Sequence, residues 1–192
     1  TEKLYSLVGS EMKYYGVDIL LAPGMNIHRN PLCGRNFEYY SEDPWLSSHM
    51  AAGHIRGVQS KGVGCCLKHF ALNNQETCRM TVNAVADERT LREIYLASFE
   101  TAVKEAKPWS VMSAYNRVNG EFCSENHHLL REILREEWGY EGVVISDWGA
   151  VNNQAKGIEE GFDLRMPCAG EKKEKRLLQA VRSGKVSEKR LD

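Results

Sequence analysis

The chain has 192 residues, 42% of them hydrophobic and 27% charged, enough for one core of ordinary globular composition. Its 25 basic and 26 acidic residues leave a formal charge of -1, which gives no general attraction to nucleic acid or anionic lipid. No apolar run approaches the roughly 20 residues that cross a bilayer, and no CxxC pair links the six cysteines, which read as reduced thiols.

Leu4, Leu7, Val8 and Met12 recur at helical spacing, and the pattern stops at Gly16 before an apolar run from Val17 to Ala22 that reads as a strand. A helix over about 46 to 60 and a strand over about 63 to 69 follow, with Cys65 and Cys66 on opposite strand faces. Leu91, Ile94, Tyr95, Ala102 and Val103 mark one face of a helix over about 88 to 106, and a strand over about 110 to 115 comes next. Leu129, Leu130, Ile133 and Leu134 define another helix, closed by Gly139, ahead of the strand that ends at Asp147. A helix over about 151 to 160, a short strand Phe162 to Met166 and a helix Glu171 to Ser183 complete the pattern.

Five strands alternating with helices imply an α/β chain with parallel strands, either a doubly wound sheet or part of a βα barrel. Two connections, about 22 to 45 and about 70 to 88, are long and follow strands, which places them on the catalytic face of such a fold.

The run Gly142-Val143-Val144-Ile145-Ser146-Asp147-Trp148-Gly149 ends an apolar strand in a carboxylate followed by an indole. Open sheets and barrels place their chemistry at that strand end, although a helix-capping Asp explains this segment alone equally well. The other strand ends carry Gly34-Arg35-Asn36-Phe37-Glu38 with Glu42-Asp43-Pro44, then Lys68-His69-Phe70 with Asn73, Glu76 and Arg79, then Met112-Ser113-Ala114-Tyr115-Asn116. Each has a plain structural explanation, such as Arg35 paired with Glu38 or Asp43. Together, so many polar groups at one mouth carry a desolvation cost that a purely structural design avoids. Several directed donors, one carboxylate and an aromatic plane suit a polyhydroxylated ring.

These four motifs, in this order over nearly the whole chain, resemble glycoside hydrolase family 3 of the β-glucosidase type. The resemblance implies a partial (β/α)8 TIM-type barrel of about five βα units, incomplete at its N-terminal side, with residues 1–192 forming the middle and C-terminal part of the barrel domain. It implies that Asp147 is the nucleophile of a retaining mechanism and that Arg35, Lys68, His69, Arg79, Met112, Tyr115 and Trp148 line the sugar pocket. The same likeness puts an acidic residue more often where Arg165 stands. In the β-glucosidase branch the acid/base is a Glu from a later domain, and nothing in this sequence matches that region. In the N-acetylglucosaminidase branch a His and an Asp follow Lys-His-Phe, and the loop from Ala71 to Arg79 has neither.

The resemblance therefore implies a retaining, exo-acting β-glycosidase acting on β-linked glucosides, with a β-xylosidase or a non-catalytic carbohydrate-binding module as alternatives. Without the missing strands and second domain, little hydrolysis by this chain alone is expected. The unpaired edges of a partial barrel permit homo-oligomers. An enzyme of phosphorylated metabolites would need a glycine-rich phosphate loop, and no such pattern occurs. No cofactor is implied, and His127-His128 lacks companions at zinc-site spacing, so no metal is expected. Cysteine usage points to the cytoplasm rather than to secretion.

Overall fold

The computed structural model describes residues 1–168 and 170–191. In chain order its strands are β1 (Ile19–Leu20), β2 (Gly64–Phe70), β3 (Asn83–Ala84), β4 (Ser110–Ser113), β5 (Arg117–Val118), β6 (Glu121–Phe122) and β7 (Val143–Ser146). Its α-helices are α1 (Glu2–Tyr14), α2 (Pro44–Gln59), α3 (Glu88–Thr90), α4 (Ala97–Ala106), α5 (Gln154–Glu159) and α6 (Glu171–Arg182). β1, β2, β4 and β7 lie side by side in that order, all parallel. The strand expected over Phe162 to Met166 is reduced to a single parallel bridge between Leu164 and Ile145, so the fifth unit is present only as its first contact.

The helices begin where their chemistry allows. Asp43 accepts the Trp45 N–H ahead of Pro44, whose fixed φ suits the first helical turn, and so starts α2. The segment predicted as one helix over 88 to 106 is continuous but runs through a π-helical stretch, Leu91–Leu96, and the next helix, His128–Glu137, is π-helical throughout. A wider turn brings residues five apart onto one face, and Leu91 with Leu96, and Leu129 with Leu134, are all buried. α1 packs on α2 through small residues: a Cβ on Gly57 would come within 2.4 Å of the Glu2 carbonyl.

Both faces of the parallel sheet are buried, which explains strands without polar alternation. One face carries Cys65, Leu67, Val111 and Val144 into the main core with Ile55, Phe99 and Ile133. The other carries Cys66, Met112 and Ile145, against which Leu21 and Met166 pack. Residues from five successive chain segments thus meet on the concave side, as the inward layer of a βα barrel does. Burying each large apolar side chain contributes about 1.5–3 kcal/mol, and Met112 serves this layer at 3% exposure.

Two features depart from the sequence expectation. The long connection after β2 is not without structure: β3 within it pairs in parallel with β5, which turns through Asn119-Gly120 into antiparallel β6. That hairpin, absent from the predicted elements, uses positive φ at both Asn119 (50°) and Gly120 (99°), the geometry that Asn-Gly supplies at low cost.

Candidate active site

Asp147 is the first residue past β7, 8% exposed, with its own N–H donated to the Ser113 carbonyl at 3.2 Å. The chain then turns sharply. Ala150 N–H bonds the Asp147 carbonyl at 3.0 Å, and Gly149 adopts φ 79°, a conformation only glycine takes freely. The turn folds the Trp148 N–H back onto the Asp147 carboxylate, 2.7 Å from Oδ1. Oδ2 is shielded from solvent, has no hydrogen-bond partner among the described residues, and lies 3.6 Å from His69 Nε2.

His69 reaches this position because β2 is irregular at its end. Lys68 pairs with Met112 and Phe70 with Ser113, so His69 is the extra residue of a bulge that re-aims the chain. Asn26 grips the His69 peptide from both sides, donating to its carbonyl and accepting its N–H, each at 2.9 Å. Tyr39 Oη lies 3.1 Å from Nδ1 and accepts from Asn73 Nδ2 at 3.0 Å. With that lone pair occupied, we assign the phenolic hydrogen to Nδ1, which leaves the imidazole proton on Nε2, facing Asp147. Burial, followed by the charges of Arg35, Lys68 and Arg79, pushes the His69 pKa down to about 2, so the ring is neutral at pH 7.

The cations are ordered by carboxylates of their own. Glu38 contacts Arg35 Nε with one oxygen and Lys68 Nζ at 3.3 Å with the other. Burial tends to raise the Glu38 pKa, but the hydrogen bond from Arg35 and the charge of Lys68 outweigh it and hold the carboxyl below its ordinary value. Arg79 donates to Glu76 at 2.7 Å and lies over the Tyr115 ring, 4.4 Å from its centroid. Tyr115 donates its hydroxyl to the Trp148 carbonyl at 2.8 Å. Its pKa is raised by burial and then by the nearby Asp147 charge.

The structure therefore brings His69, Asp147, Trp148 and Tyr115 together, with Arg79 over the Tyr115 ring, while Lys68, next to His69 in the chain, is linked to Arg35 through Glu38. Met112 lies beneath them on β4, beside Lys68 in the register and packed among apolar residues. Trp148 presents a half-exposed indole at the rim. Lys68 and Arg35 contact Glu38, while the Asp147 carboxylate accepts from the Trp148 N–H and lies near His69. The Tyr115 hydroxyl steadies the Asp147–Ala150 turn through the Trp148 carbonyl. A cleft of about 660 Å3 beside the network, lined by Arg29, Leu72, Asn74, Val82 and Tyr95 among others, contains none of the predicted site residues.

Sequence reasoning missed Tyr39 and Asn26, the two side chains that orient His69. Their partners lie 30 and 43 residues away, and no local pattern announces such a pairing. Glu38 was visible as a neighbour of Arg35, but its second contact to Lys68 was not.

A concave parallel βα sheet with its polar groups at the carboxyl strand ends defines a barrel-type enzyme domain. The chain matches the glycosyl hydrolase family 3 N terminal domain over residues 2–192 and belongs to that family. It is 60% identical over 187 residues to the thermostable beta-glucosidase B of Acetivibrio thermocellus, covering 97% of this chain and 25% of that protein. An exo-alpha-(1->6)-L-arabinopyranosidase of Bifidobacterium breve is 51% identical over 176 residues, 92% of this chain and 23% of that one. The structure of beta-glucosidase 3B from Thermotoga neapolitana in complex with alpha-D-glucose superposes with a TM-score of 0.96 at 55% identity, over 99% of this chain and 28% of that chain. The chain spans about a quarter of the length of the curated relatives it matches.

Proposed function

We propose that this chain is the nucleophile-bearing part of a retaining, exo-acting β-glycosidase of the β-glucosidase type. One observation carries the reading: a shielded carboxylate oxygen without a partner, Oδ2 of Asp147, sits at a barrel strand end beside a neutral imidazole. The Asp147 side chain is 11% open at that strand end, and a carboxylate so placed suits attack on an anomeric carbon. In the first step the Asp147 carboxylate forms a bond to that carbon as the bond to the leaving oxygen breaks, and an acid protonates the departing oxygen. In the second, water displaces the carboxylate while the same group takes the water's proton.

The other residues act on the ring. Lys68, Arg35 and Arg79 present cationic donors to hydroxyls, and His69 presents its Nε2–H between the sugar and the nucleophile. Trp148 offers an aromatic face for the apolar side of the sugar, Tyr115 holds the Trp148 backbone, and Met112 forms the floor. The acid/base comes from protein beyond this chain, a reading supported by relatives about four times its length. The names of those relatives favour β-glucosides, and the arabinopyranosidase keeps an α-L-arabinopyranoside in the substrate panel beside the xyloside.

Incubation of the full-length protein with a 2-deoxy-2-fluoro-β-glucoside should leave a covalent label on the peptide containing Asp147. A label on any other residue rejects the assignment. Glucose binding by calorimetry, unaltered by Asp147→Asn and with no trapped label, would support the carbohydrate-binding module instead.

A further inference from the structure

The charges around the nucleophile balance. Arg35 and Lys68 share Glu38, whose two oxygens face one cation each, and Arg79 has Glu76 at 2.7 Å. Asp147 has no cation beside it among the described residues, because its basic neighbour His69 is neutral at pH 7. Arg35, Lys68 and Arg79 thus offset Glu38, Glu76 and Asp147, and these groups carry no net charge together. The pairing is built in locally: Arg35 and Glu38 stand three apart across the 3-10 turn Asn36–Glu38, where such residues eclipse. The side chains of Arg35, Lys68 and Glu38 are only 18%, 16% and 21% exposed. Water and salt screen such charges weakly, so the carboxylate decides how much positive field the two cations project.

A partnered cation still serves a hydroxyl. Arg35 meets Glu38 through Nε, which leaves its terminal N–H groups to donate, and Lys68 has three N–H donors. A neutral sugar takes those bonds without adding charge. A sugar with a carboxylate in place of its hydroxymethyl group brings a negative charge to cations that are already matched and to an Asp147 that is not, and like charges at close range disfavour binding. We propose that Glu38 is a specificity-determining residue: by neutralising Arg35 and Lys68 together, it makes the pocket select uncharged glycosides and reject hexuronides. This selectivity rests on the reading of the site as a sugar pocket and extends it to the residue that sets the charge of the accepted sugar. Glu38 acts on the sugar through the two cations.

Calorimetry of the full-length protein with glucose and with glucuronate at constant ionic strength tests it, beside kcat/KM on an aryl β-glucoside and the matching β-glucuronide. The parent should favour the neutral sugar by about tenfold or more. Glu38→Gln keeps the shape and an accepting oxygen but removes the charge, and should narrow that ratio by about tenfold or more. A ratio taken within one preparation does not depend on the fraction of protein that folds. Glu105→Gln removes the same charge from an exposed position near the end of α4, which leads into the start of β4 and so lies away from the carboxyl strand ends; it should leave the ratio at the parent's value. A parent indifferent to the carboxylate, a ratio unmoved by Glu38→Gln, or one moved equally by Glu105→Gln overturns the proposal and leaves the glycosidase reading standing. A parent that binds glucose without hydrolysing the glucoside rejects the glycosidase reading, and the binding ratio then supports or overturns the role of Glu38 by the same criteria. A parent that neither binds glucose nor hydrolyses the glucoside overturns both.

Discussion

Replacing Tyr39 with Phe removes one oxygen and leaves the ring. In the structure that oxygen serves two buried groups: it accepts from Asn73 Nδ2 at 3.0 Å and lies 3.1 Å from His69 Nδ1. Both partners are 1% exposed, so water does not reach them readily in its place. Each orphaned group costs about 1–3 kcal/mol, and burying the phenyl ring recovers little, so a loss of about 2–4 kcal/mol is expected. Urea unfolding of Tyr39→Phe beside the parent at pH 7 measures it directly, as a lower midpoint with an unchanged slope. The same change frees the imidazole from its tautomer. In the full-length protein, kcat/KM on an aryl β-glucoside should fall about tenfold or more, mainly through kcat if the donated Nε2 proton matters most as the ring flattens. A variant within about 0.5 kcal/mol of the parent, with kcat/KM unchanged, would refute the claim that Tyr39 orients His69.

Other consequences follow from buried polar groups elsewhere in the fold. Burial pushes His54 down to about 4, with its ring stacked on Tyr5 at 3.5 Å, while the unfolded chain takes up that proton near 6.5. Stability from His54 is therefore complete above 6.5 and is lost as pH falls from there to about 4, by about 2 kcal/mol at pH 5; His54→Phe, which keeps a stacked ring, should lose that much less between pH 7 and 5 in urea melts. Removing the shared anion with Glu38→Ala leaves Arg35 and Lys68 half-buried and unpaired, and should cost about 2 kcal/mol and raise KM more than it lowers kcat; a KM equal to the parent's would count against their role in holding the sugar. Glu125, buried beside the segment that follows Asp147, accepts from Asn152 N–H at 2.8 Å and Asn153 N–H at 2.5 Å. Glu125→Ala should lower the trapping rate by the fluoroglucoside about tenfold, with Glu125→Gln restoring much of it because an amide oxygen accepts the same bonds; equal defects in the two variants would dismiss the clamp.

Local pattern was enough for the order of the elements and for the most informative residue. A strand buried on both faces is a continuous apolar run, so Val143 to Ser146 and the placement of Asp147 just beyond it could be read directly. The alternation of apolar runs with helical periodicity likewise implied parallel strands with polar groups at one end. The hairpin at Asn119-Gly120 was also written locally, in a dipeptide that favours its turn, but its strands Arg117–Val118 and Glu121–Phe122 are two residues each, too short to show an alternation.

What local pattern cannot express is which distant side chain completes a site. The bulge that turns His69 toward Asp147, the Tyr39 hydroxyl on its far nitrogen, the Asn26 grip on its peptide and the second contact of Glu38 to Lys68 all join segments brought together by crossovers. The sequence by itself determined the periodicities, and with them the element order and the carboxylate at the strand end, because burial on a strand or helix repeats over a few residues. Only the tertiary structure decided the partners, because a buried hydrogen bond depends on the position of two atoms in space and on the exclusion of water around them.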